Sequence, residues 1–297
     1  MGFPRGMNMN TRNKSLIAML FIYVFVVAIG TFLFLMLDQM SLIPRLLIAD
    51  LAMTMITWII SLILKNASVY DPYWSVVPPL MILGVILFLN QTFSLSTFLL
   101  FTGVLIWGVR LTYNWLMRWT NFHDVDWRYN KIQDKSPKLY FLTNLLAIQL
   151  FPTLIVFIQL IVATKFIEQN PITNLVIWIG FVMMVFAAII QFVADQQMKN
   201  FKKRTLNQKL CIEEGLWKYS RHPNYFGEIT LWWGIYVMYF GTTMKVDLYI
   251  IPAILMTLMF LFVSIPWMEK KIIKTRPEYK DYQKNVSMLI PFLRYHK

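Results

Sequence analysis

The residues best suited to chemistry lie at 215–228, Gly-Leu-Trp-Lys-Tyr-Ser-Arg-His-Pro-Asn-Tyr-Phe-Gly-Glu. Pro223 suits the first turn of a helix, where its missing N–H costs nothing. The N-terminus it opens points free N–H groups and positive dipole outward, which makes a natural anion site. Asn224 and Glu228 then stand one turn apart on one face, and Glu228 lies in an apolar run continuing with Ile229, Leu231, Trp232 and Trp233. A carboxylate there needs a partner or a polar ligand. Upstream, Gln191, Asp195, Lys199 and Lys202 recur at spacings of four, four and three, with Lys203 and Arg204 following. A buried amide and carboxylate leading into a basic cluster suit a ligand with a polar ring and a phosphate-bearing tail. Asp195 with Lys199 can also form an i,i+4 ion pair, which does not exclude a ligand. A third stripe, Arg110, Asn114, Arg118 and Asn121, shares its face with Trp107. Snorkelling at a helix end accounts for Arg118 but poorly for the two asparagines.

These stripes need helices to carry them, and the composition says where those helices sit. Of 297 residues 58% are hydrophobic and 14% charged, and the mean hydropathy is +0.54. A soluble domain has about a quarter of its residues charged. Eight apolar runs, near 15–37, 46–64, 76–94, 95–113, 139–164, 173–194, 224–243 and 248–267, are each long enough to span hydrocarbon as a helix. None alternates as a barrel strand does. The expected fold is an all-α, polytopic transmembrane bundle of about eight helices. Pro152 should kink the fifth helix, and the third and fourth should form a tight hairpin at Asn90-Gln91-Thr92. The first run is too long for a signal sequence and lacks a cleavage site, so it reads as a retained helix.

Placing the N-terminus inside and letting eight helices alternate leaves only Arg45, Lys165 and Lys245, of 28 cations, on the outer side. That asymmetry predicts cytoplasmic termini. It also removes a nucleic-acid reading of the net charge of +13, because the charge is spread along one membrane face. Cys211 is alone, and His123, His222 and His296 have no Cys or His at metal-ligand spacing, so neither an internal disulfide nor a metal site is expected. No protein partner is implied.

The 215–228 segment, with Asp195-Gln196 before it and Tyr279, Tyr282 and Ile290-Pro291 after it, resembles the C-terminal half of the steroid 5α-reductase superfamily. The nearer resemblance is to a bacterial branch of membrane proteins carrying that domain. Further matches are Asp71-Pro-Tyr-Trp74, Arg110-Leu-Thr-Tyr-Asn114 and Asp126-Trp-Arg128-Tyr129. The resemblance covers about 65–292, so 65–297 is expected to be the catalytic region and 1–64 two helices without diagnostic residues. His-Pro-x-Tyr alone is also shared by isoprenylcysteine carboxyl methyltransferases.

The resemblance implies an NADPH-dependent reductase of a carbon–carbon double bond in an α,β-unsaturated carbonyl lipid, a hydrophobic substrate taken from the membrane. By motif position Asn224 and Glu228 would hold the nicotinamide end, Asp195 the sugar-phosphate portion and Lys202 a phosphate. Arg110 falls near an arginine of the family's fourth helix. Arg118, Asn114, Asp126, Arg128, Lys203, Arg204, Arg221, His222 and Tyr225 complete the expected cofactor-binding set. Glu228, Asp71 and Tyr73 are the expected catalytic residues. Better-known steroid reductases stabilise the oxyanion with a Gln-Glu pair and a tyrosine within a helix. Here Asp71 stands as the acid or as the group orienting Tyr73, and the helix expected from Val76 contains no tyrosine. Two other classes stay open. One is an S-adenosylmethionine-dependent methyltransferase using Glu228, the basic loops and Met268-Glu269-Lys270. The other is a membrane scaffold or transporter.

Overall fold

The computed structural model describes residues 9–89, 94–205 and 210–292, and it is all-helical among them, without a strand. The long helices are α1 (Met9–Met36), α2 (Leu42–Ile63), α3 (Tyr73–Phe88) and α4 (Leu95–Arg118). A short α5 (Trp127–Lys135) and a single turn α6 (Tyr140–Thr143) lead to α7 (Phe151–Glu168), α8 (Leu175–Arg204) and α9 (Pro223–Thr243). The chain ends with α10 (Ile251–Met259), α11 (Ile265–Thr275) and α12 (Tyr279–Asn285). Among the described residues seven helical segments are long and apolar enough to cross a membrane, so this is an integral membrane protein. The eighth expected span, α9, has the length, with 21 residues, but its glycines, tyrosines, tryptophans and Glu228 lower its hydropathy. The hairpin expected at Asn90-Gln91-Thr92 lies outside the described residues.

The chain divides into two units, 1–90 with 108–164, and 91–107 with 165–297. The two N-terminal helices therefore belong to the same unit as 65–90. In that unit α3 begins at Tyr73, three residues earlier than the apolar run suggests, because Pro72 caps it in a conformation that continues into the helix. Tyr73 is thus a helix residue. Pro79 has no N–H for the Ser75 carbonyl. Gly108 on α4 covers that carbonyl so closely that an added Cβ would lie 2.5 Å from its oxygen. Ahead of Pro152, where a kink is expected, the helix widens to a π-helical turn over Asn144–Leu150. Within it Asn144 and Gln149 both donate to the Ser61 hydroxyl, at 3.1 and 2.9 Å.

Two cations that charge counting assigns to membrane orientation cap helices instead. Arg12, on α1, donates to the Trp119 and Leu116 carbonyls at the end of α4, at 3.1 and 2.8 Å. Arg45 donates to the Phe34 carbonyl at the end of α1, with its guanidinium 4.0 Å from the Phe34 ring. Both positions complement the negative end of a helix dipole.

In the second unit α8 and α9 pack at backbone distance. A Cβ on Gly180 would meet the Gly234 carbonyl at 2.6 Å, and one on Gly234 would meet the Gly180 carbonyl at 2.8 Å. Small residues allow this approach, and packing at that range is what holds helices together in lipid. Asn174 fixes the far end of the pair by capping α8 and donating to the Gly241 carbonyl at 2.7 Å.

Candidate functional site

The close contact of α8 with α9 delivers Gln191 to Glu228. Gly227, one residue before, leaves room for it, since a Cβ there would meet Gln191 Cγ at 2.5 Å. Gln191 Nε2 donates to Glu228 Oε2 at 2.6 Å and to the Asn224 carbonyl at 3.3 Å. Trp107 Nε1 donates to the same Glu228 oxygen at 3.0 Å, and Trp232 Nε1 to Oε1 at 3.1 Å. The two indoles meet edge to face, 5.1 Å between centroids. Glu228 is 6% exposed, so these three N–H groups hold a carboxylate inside the bundle by charge-assisted bonds. Beside it two carboxamide oxygens, Gln191 Oε1 and Asn224 Oδ1, are buried and receive no hydrogen bond among the described residues. Unmet acceptors of that kind are rare in folded proteins and mark where a donor is wanted.

Asp195 lies one turn beyond Gln191, half-buried, and Lys202, Lys203 and Arg204 are exposed at the end of α8. Arg204 pairs with Glu214. The returning loop is pinned to α8 where Trp217 Nε1 donates to the Ala194 carbonyl at 3.1 Å and Gln197 accepts from the Leu216 N–H at 2.9 Å. Gly215 takes a positive φ of 58° directly against the Gln197 amide, a backbone conformation and a clearance that only glycine combines.

Arg221 and His222, expected to bind cofactor, turn toward Glu269. Arg221 Nε donates to Glu269 Oε1 at 2.8 Å, and His222 Nε2 lies 2.9 Å from the same oxygen. Tyr279 OH and Gln283 Nε2 donate to the carboxylate at 3.0 and 2.7 Å. Arg221 also reaches the Gln283 and Val286 carbonyls, so the pair fastens the C-terminal helices to the start of α9. Burial pushes the His222 imidazole below its ordinary range, and its bond to Glu269 opposes this only in part. Tyr225 stacks on His222 with planes 6° apart.

The remaining predicted residues belong to the first unit. Asp126 caps α5 by accepting from the Arg128 N–H at 2.8 Å and pairs with its guanidinium at 2.8 Å. Burial works to raise the Asp126 carboxyl, but the Arg128 bonds and charge, with Arg118, hold it below the usual carboxylate range. Asp71 accepts from Tyr129 OH at 2.5 Å, and burial beside Asp71 pushes that phenol well above its ordinary range. Along α4 the stripe is graded: Arg110 is buried, Asn114 half-buried and Arg118 exposed.

One expectation is corrected. The carboxylate that orients Tyr73 is Asp50, not Asp71, whose partner is Tyr129. Tyr73 OH donates to Asp50 Oδ1 at 2.6 Å, and the Thr54 hydroxyl lies 3.2 Å from it. Thr54 bonds Thr153 at 3.0 Å, and Thr153 bonds Tyr70 OH at 2.8 Å, which continues the chain of hydroxyls. Asp50 and Tyr73 are 3% and 2% exposed. The first two helices carry no family motif, but a lone carboxylate inside the second apolar run is a signal by itself.

Comparison with known proteins agrees in extent with this architecture. The uncharacterised protein C594.04c of Schizosaccharomyces pombe is 24% identical over 267 residues, covering 80% of this chain and 76% of that protein. No solved structure matches. Residues 57–286 match the family described as protein of unknown function DUF1295, and the chain belongs to that family.

Proposed function

We propose that this protein is a membrane-embedded, NADPH-dependent reductase of a carbon–carbon double bond in an α,β-unsaturated carbonyl lipid. The observation that carries the reading is the polar group at the start of α9. Gln191 Oε1 and Asn224 Oδ1 are buried acceptors that receive no hydrogen bond among the described residues, next to a carboxylate that accepts from three N–H groups. The N–H groups of a nicotinamide carboxamide are the donors such oxygens lack. Asn224 and Gln191 would hold that end, with Glu228 keeping the Gln191 amide oriented. Asp195 would take the ribose, and Lys202, Lys203 and Arg204 the phosphates. Bound NADPH supplies the hydride.

The rest of the chemistry falls to side chains of this chain. Within the first unit Tyr73, oriented by Asp50 and Thr54, is a hydroxyl donor suited to an oxygen on which negative charge grows. Both groups sit among apolar residues, where such a bond is stronger than in water. On this reading the basic end of α8 and both termini face the cytosol, where the cofactor is supplied, as the excess of cations on that side supports.

The test is a titration of detergent-purified protein with NADPH, followed by tryptophan fluorescence, since Trp107 and Trp232 both bond Glu228. Asn224→Leu should weaken binding by about 1–3 kcal/mol through loss of one buried hydrogen bond, at an unchanged melting temperature. S-adenosylmethionine should give no response. Equal NADPH affinity in wild type and variant, or a response to the methyl donor alone, refutes the reading.

A further inference from the structure

Within the second unit, the helix that runs from α10 into α11 buries Ala253, Met256, Phe260, Ile265 and Glu269 along one line. The step of five residues between Phe260 and Ile265 does not suit an α-helix, which repeats about every 3.6 residues. It falls on a π-helical turn, Phe260–Ser264, whose wider winding takes up one residue more. In an unbroken α-helix, at about 100° per residue, Phe260 and Glu269 would stand on opposite faces. The π turn brings both to the start of α9.

There they hold one turn at two points. Phe260 packs on the Tyr225 ring, 4.9 Å between centroids, and Tyr225 stacks on His222. Glu269 bonds Arg221 and His222, and Tyr279 and Gln283 of α12 donate to the same carboxylate. The main chain is held by the C-terminal segment as well. The Arg221 N–H donates to the Ser287 carbonyl at 2.8 Å. The Ser220 hydroxyl donates to the Leu289 carbonyl at 2.6 Å and accepts from the His222 N–H at 3.2 Å.

Asn224 lies on this turn, next to Pro223. Its buried Oδ1 receives no hydrogen bond among the described residues. From α8, Gln191 reaches the Asn224 main-chain carbonyl and not this oxygen. The direction of the side chain therefore follows from the backbone that carries it, and residues 260–289 hold that backbone. A buried ion pair adds little stability over apolar packing of the same shape. Its bonds have direction, however, and direction is what an amide without a partner of its own requires.

We propose that Glu269 is the positioning residue of the Asn224 site. Through Arg221 and His222 it fixes the first turn of α9, so ligand binding at Asn224 depends on docking of the C-terminal segment 276–292. By linkage, a ligand at Asn224 tightens that segment in return. That the ligand is NADPH rests on the reductase reading, whereas the positioning rests on the contacts alone.

The test uses full-length protein in detergent with Cys211→Ser throughout. Asn224→Cys reports on the first turn of α9 without a ligand, through its rate of thiol labelling. Adding Glu269→Gln should raise that rate about tenfold. Thr230→Cys, further along the same helix, should label slowly with or without Glu269→Gln, which separates local loosening from general unfolding. Tyr279→Phe takes one donor from Glu269 and spares Arg221 and His222; it gives the same comparison in milder form, with a rise of about threefold. With Asn224 in place, Glu269→Gln should weaken NADPH binding about tenfold per folded molecule. NADPH should slow hydrogen exchange over 276–289 in the protein with Glu269. Equal labelling rates with and without the Glu269 and Tyr279 changes, or equal NADPH affinity with Glu269 and with Glu269→Gln, overturn the proposal. Labelling rates that differ as expected, in a protein that binds no NADPH, remove the reductase reading and leave the positioning role.

Discussion

Removing the Glu228 carboxylate is the most informative single change, because three donors from three helices converge on it. In Glu228→Leu, Trp107, Gln191 and Trp232 all lose their acceptor. Hydrogen bonds within membrane bundles average about 0.6 kcal/mol and reach about 1.7, so the loss of three should destabilise the fold by about 2–5 kcal/mol. Glu228→Gln keeps one carbonyl oxygen, which has two lone pairs and can serve two of the donors. Its new NH2 group then faces the third. The cost should fall to about 1–2 kcal/mol, with helix content unchanged. The assay is unfolding in mixed micelles at increasing SDS, followed by circular dichroism and tryptophan emission. The emission of Trp107 and Trp232 should shift in Glu228→Leu before any loss of helix. If both variants unfold at the wild-type midpoint, the carboxylate is not the meeting point of these helices and the argument fails. Adding NADPH to the same samples separates the two parts the residue can play. A merely structural Glu228 would lower stability while leaving cofactor affinity per folded molecule constant.

Gly234→Ala should cost about 1–3 kcal/mol by thermal unfolding in detergent, because the new Cβ meets the Gly180 carbonyl, a backbone atom that cannot turn aside. A wild-type midpoint would show that α8 and α9 are not in backbone contact there. His222 supplies a pH dependence. Burial holds its folded pKa below the ordinary value of about 6.5, so the unfolded state binds more protons in that window. Its contribution is therefore present above about pH 6.5 and is lost as the pH falls through the folded value. His222→Gln should flatten the midpoint-against-pH curve below pH ~6.5, and an unchanged slope would contradict the burial. Single cysteines at 168 and 245 in a Cys211→Ser background should react with an impermeant thiol reagent from outside intact cells. A cysteine at 203 should not, and its labelling would invert the topology.

Composition alone determines that this chain is a membrane protein, because transfer into lipid depends on local apolarity summed over a helix length. The stripes at 110–121 and 191–202 and the Asn224/Glu228 pair are legible for a similar reason. Helical periodicity is a property of one segment, and Gln191 and Glu228 each face inward on their own helix before they meet. What periodicity cannot carry is the register of one helix against another. Tyr73 could have turned to Asp71, two residues away. It bonds Asp50, 23 residues back, because α2 and α3 lie side by side. Arg221 and His222 belong in sequence to the chemical motif, and only the fold brings Glu269, 48 and 47 residues on, to hold them. Arg12 and Arg45 count as orientation charges in any tally of cations. Tertiary structure alone shows them capping α4 and α1, because sign is written in the residue type and partnership is not.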